Sequence, residues 1–170
     1  MATIKKPAAP TARGFFIACI FLHALFLVGC SSQQTVPEAT SPLASEVVFN
    51  AMQQVGKPYR YGGSSPQTGF DCSGLIHYAY QNATAVAVPR TVKSLYAAPY
   101  PQIEKSQLQG GDVVIFATGW RNTPDHAGIY VGEQRFVHAP SSGGAVRIDS
   151  LASDYWKNRF LIGKRILIAH

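Results

Sequence analysis

Apolar residues in the middle of the chain recur at intervals of three and four, the spacing of amphipathic helices. A first helix is predicted to start at Pro42, with Ser41 as its cap, and to end before Gly56. A second is predicted to start after the capping residue Asp71 and to run to about residue 82. Its inward face is formed by Cys72, Leu75, Ile76 and Ala79.

The spacing changes after Gly111, where short apolar or alternating segments predict strands. A third, short helix is predicted before them, opened by Pro89-Arg90-Thr91 and running through Ala97. The predicted strands lie at 113–117, 126–131, 135–139, 145–148 and 160–168. Helices followed by strands indicate an α+β fold, in which N-terminal helices pack on an antiparallel sheet of about five or six strands.

The first thirty residues have a different character. An apolar run at 14–28 is too short to cross a bilayer, which takes about 20 residues. Basic residues before it and small residues after it are typical of a secretory signal: Lys5, Lys6, Arg13, Gly29 and Cys30. Leu27-Val28-Gly29-Cys30 resembles a bacterial lipobox, which implies cleavage before Cys30 and lipid attachment to its sulfur.

The predicted organisation is therefore a lipoprotein signal peptide at 1–29, a lipidated flexible tether at 30–43 and one domain at 44–170. Several acyl chains together would hold the protein on a membrane. Ser31 and Ser32 follow the lipidated cysteine, where inner-membrane lipoproteins typically carry Asp, and this resemblance favours the periplasmic face of the outer membrane.

Composition limits the remaining classes of function. Hydrophobic residues make up 46% and charged residues 14% of the 170 positions, which excludes a wholly disordered chain. The net charge of +6 halves once the first thirteen residues are removed, and the remaining basic residues are scattered. A nucleic-acid partner is therefore not expected. The expected oligomeric state is a monomer.

Cys72 is the only thiol expected to stay free in the exported domain, and it lies at the start of a helix. A free cysteine titrates near 8.5, and a helix N-terminus alone stabilises a thiolate by at most about 2 kcal/mol. A protonated imidazole beside the sulfur could supply the remainder and later protonate a leaving amine. His126 is the candidate base, and His138 the candidate group that orients it.

The two histidines can cooperate only if they lie on one face of the predicted hairpin. That arrangement requires an odd-length loop, such as 132–134, or a β-bulge. A two-residue turn at Glu133-Gln134 without a bulge would place the two rings on opposite faces. Cys72, His126 and His138 could instead form a zinc site, and each could also be an ordinary packed residue.

Six motifs in fixed order resemble the NlpC-type family of bacterial cell-wall cysteine peptidases. They are GKPYRYGG at 56–63, DCSGL at 71–75, PRT at 89–91, GDVVIF at 111–116, HAGIYVG at 126–132 and FVHA at 136–139. The resemblance implies a papain-like fold with Cys72 as nucleophile, His126 as base and His138 as third member. It also implies that Tyr59 supports the oxyanion and that no metal or cofactor is needed.

The same resemblance implies peptidoglycan stem peptides or cross-links as substrate, cut through a thioester. The D-alanyl–diaminopimelyl bond is favoured over the D-glutamyl–diaminopimelyl bond. Transfer of the acyl group to another amine and a non-catalytic cell-wall-binding lipoprotein remain alternatives. Weaker candidates for binding substrate are Ser73, Arg60, Arg90 and Arg121.

Overall fold

The computed structural model describes residues 41–142 and 144–167, together with Thr3. The predicted signal peptide, the lipidation site at Cys30 and nearly all of the tether lie outside the described residues. From residue 41 onward the described chain belongs to one contact unit, Ala39–His170. Its first helix begins at Pro42, two residues before the predicted start of the domain. No helix in the described ranges is both long and apolar enough to cross a membrane.

The structure confirms the three predicted helices. A side-chain cap sets the start of each one. Ser41 Oγ accepts from the backbone N of Ala44 at 3.2 Å, and Thr91 Oγ1 accepts from the backbone N of Ser94 at 3.1 Å. The helices are α1 (Pro42–Met52), α2 (Cys72–Ala83) and α3 (Val92–Ala97). A 3₁₀ turn at Lys105–Gln107 and a short helix α4 (Asp154–Lys157) were not predicted.

A two-stranded ribbon precedes α2. The ribbon strands are β1 (Ser64–Ser65) and β2 (Gly69–Phe70). Six further strands form one antiparallel sheet: β3 (Gln102–Ile103), β4 (Val113–Phe116), β5 (His126–Gly132), β6 (Arg135–His138), β7 (Arg147–Ser150) and β8 (Phe160–Lys164). Their order across the sheet is β3-β8-β4-β5-β6-β7. The predicted α+β class and strand number are confirmed.

The central strands are buried on both faces, and the two faces have different cover. Helices α1 and α2 pack on β5 and bury one apolar face, which includes Val113, Ile115, Ala127 and Ile129. The opposite face is a smaller aromatic cluster around Phe116, Phe136 and Trp156. Trp156 comes from α4, so a helix also packs on the face opposite the N-terminal helices. This second face carries the two candidate histidines.

Candidate active site

The start of α2 holds Cys72 in a fixed position. Asp71, the residue before it, caps the helix through a 2.6 Å hydrogen bond from the backbone N of Gly74 to its Oδ1. Its other oxygen accepts from the backbone N of Gly62 at 2.9 Å, so the carboxylate also ties the glycine-rich loop to the helix. Cys72 is the first helical residue, half-buried and free of a disulfide.

Arg90 and Ser73, predicted as substrate contacts, both have partners inside the protein. The Arg90 guanidinium donates to Asp71 Oδ1 at 2.9 Å, Asp71 Oδ2 at 3.0 Å and Ser73 Oγ at 2.9 Å. Burial alone would raise the pKa of Asp71, but Arg90 and the backbone donors hold it below its usual value. These contacts assign both side chains to holding the helix start. Arg121, in an exposed loop, lies 4.6 Å from the ring centre of Trp120.

Tyr59 lies near enough to Cys72 and Asp71 for their charges to act on its hydroxyl, and its role at the oxyanion stays a prediction. Tyr59 packs against the main apolar cluster, and its backbone pairs with that of Phe70 on the strand leading into Asp71. Burial raises the pKa of Tyr59, and the charges that Cys72 and Asp71 carry when ionised add to the effect. Its hydroxyl therefore keeps its proton at neutral pH and can donate a hydrogen bond.

A β-bulge brings the two histidines to one face. The turn between β5 and β6 has two residues, Glu133 and Gln134, with φ of 51° and 56°. Gly132 pairs with Arg135, whereas Tyr130 pairs with Phe136, so the ladder shifts by one residue between them. A two-residue turn alone would have separated the rings, and the bulge restores the alternation that the site needs.

The histidine rings meet on that face through a direct hydrogen bond. His126 Nε2 lies 2.8 Å from His138 Nδ1, so the predicted contact between base and orienting residue is present. His126 is 8% exposed and His138 is fully buried. Trp156 stacks on His126, with ring centres 5.4 Å apart and planes 27° apart. The imidazoles are therefore held by packing as well as by hydrogen bonding.

The thiol lies beside the backbone of the strand that carries His126. The backbone N–H of Ala127, the residue after His126, interacts with the Cys72 sulfur and favours its thiolate. In the described part of the chain, the ring hydrogen bond of His126 goes to His138 and none joins it to Cys72. Catalytic hydrogen bonds are often long without substrate and tighten in the complex, so this geometry fits a base awaiting its substrate.

Asp149 and Trp156 belong to the site and were missed in the sequence. Asp149 Oδ2 lies 3.0 Å from His138 Nε2 and accepts from Trp156 Nε1 at 2.8 Å. Arg147 also donates to this carboxylate, with Nη2 3.1 Å from Oδ2. Arg147 and Asp149 are two residues apart on β7 and therefore lie on one face of this strand, which pairs with β6. Once β7 is placed beside β6, that spacing is the signal that could have found them.

A cavity of about 450 Å³ opens against this face. His126, Asp149 and Trp156 form part of its wall, together with Thr118, Pro140, Ser141, Ser142, Arg147, Ser150, Ser153 and Tyr155. Hydroxyl groups, one guanidinium and two aromatic rings thus surround an open space beside the base. Such a wall suits a polar peptide better than an apolar ligand.

Burial makes the resting site neutral. Burial raises the pKa of the Cys72 thiol, despite the backbone N–H groups that favour its thiolate. Burial, with the neighbouring His138, lowers the pKa of His126 to about 3. Burial also lowers the pKa of His138 to about 4, although Asp149 opposes this. The expected thiolate–imidazolium pair is therefore not the resting state, because both ions would lose their hydration.

The alternative zinc site requires three side chains to converge on one point. In the ranges that the structure describes, no group of three His, Cys, Asp or Glu side chains is placed to hold a metal ion. The facing nitrogens of His126 and His138 are 2.8 Å apart, which leaves no room for an ion between them.

The buried neutral histidines predict a loss of stability in mild acid. From pH 6.5 down to about pH 4 the unfolded chain protonates both residues, whereas the folded chain does not. The free energy of unfolding is expected to fall by up to about 1.4 kcal/mol per pH unit for each histidine, with no such loss above pH 6.5. Urea unfolding at several pH values measures this dependence.

The pH range of this loss of stability distinguishes the histidines from the carboxylates. The pKa values of Asp71 and Asp149 are lowered by their partners, so the stability they add is lost only as pH falls below about 4. In a His126→Gln variant the decline between pH 6.5 and pH 4.5 is expected to be shallower than in wild type. A flat wild-type profile over this range would contradict buried neutral histidines.

Comparison with known proteins places the site in a family. The profile of the NlpC/P60 family matches residues 56–165, a range that contains Tyr59, Cys72, His126 and His138. The chain belongs to the NlpC/P60 family. The fold agrees, since an NlpC/P60 family protein from Bacillus cereus superposes with a TM-score of 0.67 at 26% identity. That match covers 75% of this chain and 41% of the other.

Two curated relatives of this NlpC/P60 chain come from Escherichia coli K12. Murein DD-endopeptidase MepH is 47% identical over 129 residues, which cover 73% of this chain and 46% of MepH. The probable endopeptidase NlpC is 35% identical over 152 residues, which cover 86% of this chain and 97% of NlpC. The chain spans about half, or less, of the length of the first relatives it matches.

Proposed function

We propose that this NlpC/P60 chain is a peptidoglycan endopeptidase in which Cys72 cuts an amide bond through a thioester. The observation that carries the proposal is the 2.8 Å contact between His126 and His138, together with the strand of His126, where the backbone N–H of Ala127 interacts with the free thiol of Cys72 at a helix start. A nucleophile, a base and a group that orients the base are the parts that covalent acyl transfer requires.

The neutral resting site indicates the order of proton movements. As the Cys72 sulfur attacks the peptide carbonyl carbon, its proton passes to His126, and the carbonyl oxygen becomes an oxyanion. The imidazolium then protonates the leaving amine, the C–N bond breaks and a thioester remains. Water attacks the thioester with His126 as base, which releases the acid and restores the thiol. Tyr59 and the backbone N–H groups at the start of α2 support the oxyanion.

The proposed substrate is the peptide part of peptidoglycan, and the proposed bond is the D-alanyl–diaminopimelyl cross-link. The relative MepH is named a murein DD-endopeptidase, which supports that choice. The D-glutamyl–diaminopimelyl bond is the second candidate, because another relative is named gamma-DL-glutamyl hydrolase, at 38% identity. Arg147 and the serines around the cavity are suited to the carboxylates and amides of such peptides.

The anchor completes the proposal. A diacylglyceryl group on Cys30 would hold the protein, as a monomer, on the periplasmic face of the outer membrane. The lipobox-like segment at 27–30 supports this placement.

Digestion of purified sacculi by the full chain in detergent tests the function. We expect soluble muropeptides, and mass spectrometry of their new termini identifies the bond. A free D-alanine carboxylate at the former cross-link indicates DD-endopeptidase activity, whereas a new D-glutamate γ-carboxylate indicates the second candidate. Products that carry an added amine would indicate acyl transfer. No release by wild type, with retained binding to sacculi, would replace the proposal with the non-catalytic cell-wall-binding lipoprotein.

A further inference from the structure

Asp149 lies at the end of a chain of side-chain contacts that starts at the candidate base. His126 Nε2 contacts His138 Nδ1 at 2.8 Å, and His138 Nε2 contacts Asp149 Oδ2 at 3.0 Å. We propose that Asp149 is a positioning residue that sets the ring protons of both histidines and leaves the lone pair of the base on His126 Nδ1. Asp149 itself does not touch the reacting atoms.

The positions of the protons follow from what each group can donate. Hydrogen bonds from Arg147 and Trp156 keep Asp149 ionised, so its carboxylate only accepts, and His138 Nε2 must carry a proton. In a neutral ring the other nitrogen of His138 is then an acceptor. The 2.8 Å contact therefore requires the proton on His126 Nε2. His126 Nδ1 is left with a lone pair, as a base for a thiol needs.

The same carboxylate also fixes the orientation of the base. Trp156 donates to Asp149 through Nε1 and stacks on the His126 ring at 5.4 Å. Asp149 thus holds both the ring that covers His126 and the ring that hydrogen-bonds to it. Moving the carboxylate would release two of the contacts that keep the imidazole in place.

Asp149 has a further effect while the reaction proceeds. When His126 takes the thiol proton, the imidazolium lies one ring away from a negative charge. Other charged or titratable groups act on the same ring: Asp125 before it, His138 on β6 and Arg147 on β7. Arg147 is 46% exposed in its side chain and pairs with Asp149 at 3.1 Å, so it moderates the carboxylate without cancelling it.

Asparagine is the informative replacement for Asp149. Its amide can donate a hydrogen bond as well as accept one, so it can stabilise the opposite tautomer of His138 and hence of His126. We expect Asp149→Asn to lower kcat on a cross-linked muropeptide by about 10²- to 10³-fold, with KM changed by less than about threefold. Asp149→Glu is expected to recover part of kcat, because it keeps the acceptor.

Nitrogen-15 NMR of the histidine rings in the full chain gives a readout independent of substrate. In wild type we expect protonated Nε2 and unprotonated Nδ1 on both His126 and His138, and in Asp149→Asn a mixture of tautomers. The matched control is Asp154→Asn, which removes the same charge from α4 without touching a histidine; it is expected to keep wild-type tautomers and kcat. Urea unfolding of each variant shows whether it is folded, and so distinguishes unfolding from a change of ring tautomer.

The two readouts separate this proposal from the proposed function, on which only its kinetic part rests. Wild-type His126 protonated at Nδ1 would overturn the positioning role, whether or not any variant folds. Wild-type tautomers in folded Asp149→Asn, with kcat within threefold of wild type, would also overturn it. If wild type cuts no peptidoglycan but shows the expected tautomers, the proposed function fails and the role of Asp149 in setting the rings stands.

Discussion

Replacing Cys72 by alanine is expected to lower the rate of peptide release from a cross-linked muropeptide by at least about 10⁴-fold. In the proposed mechanism the sulfur of Cys72, the free cysteine at the start of α2, forms the covalent bond to the substrate. Removing the base should have a similar effect. Because the two residues act as a unit, a Cys72→Ala/His126→Ala double variant should lose little more activity than either single variant.

Stability measurements keep this result interpretable. Cys72 is half-buried and forms no disulfide. The free energy of unfolding of Cys72→Ala is therefore expected to lie within about 2 kcal/mol of the wild-type value. Its binding to sacculi should persist, since the cavity wall is intact. A folded Cys72→Ala variant that released the same peptides at the wild-type rate would remove the sulfur from the mechanism.

Replacing Gly74 by alanine is expected to have the second largest effect, through the backbone. A Cβ at this position would lie 2.0 Å from the carbonyl oxygen of Gly63 and 3.0 Å from both Asp71 Oδ1 and Arg90 Nη2. The Gly63 oxygen accepts hydrogen bonds from the backbone N of Asp71 at 3.0 Å and from Arg90 at 3.2 Å, so the loop cannot retreat without losing them. Overpacking of this kind destabilises by about 1–3 kcal/mol, and here buried hydrogen bonds are lost as well.

The displacement also reaches the nucleophile, because Cys72 lies two residues before Gly74. A shift of about 1 Å in a reacting group can reduce the rate by about 10²-fold, so kcat is expected to fall by that factor in the fraction that folds. Gln81→Ala, at an exposed position of the same helix, is the control and should leave both quantities near wild type. If Gly74→Ala had the stability and activity of wild type, the loop at Gly63 would be able to move away from the added Cβ, which would contradict this prediction.

How far the site can be predicted from the sequence depends on whether its residues carry local signals. Asp71, Cys72 and Gly74 do, since a cap, a helical face and a missing side chain can be read within a few positions. The meeting of His126 and His138 depended on a bulge at Val131, which composition does not reveal. The same applies to Asp149, because its role exists only after β7 pairs with β6 and Trp156 folds over both.

The direction of the pKa shifts also could not be predicted from spacing. From the sequence we expected an imidazolium beside the sulfur, because a helix N-terminus and a neighbouring charge were the two effects that the residue pattern indicated. The structure adds burial, with His138 fully enclosed and His126 nearly so, and desolvation then outweighs attraction between the groups. Burial is a property of the whole packed domain, which is why it appears only with the fold.

The protonated state of Cys72 has a consequence for redox chemistry. Exchange with disulfides and attack on peroxides both proceed through the thiolate, and their rates depend on how much of it is present. Because burial raises the pKa of the Cys72 thiol, we expect the sulfur to react slowly with oxidised glutathione and hydrogen peroxide. If Cys72 is the nucleophile, as proposed, such slow oxidation would protect the activity in an oxidising surrounding.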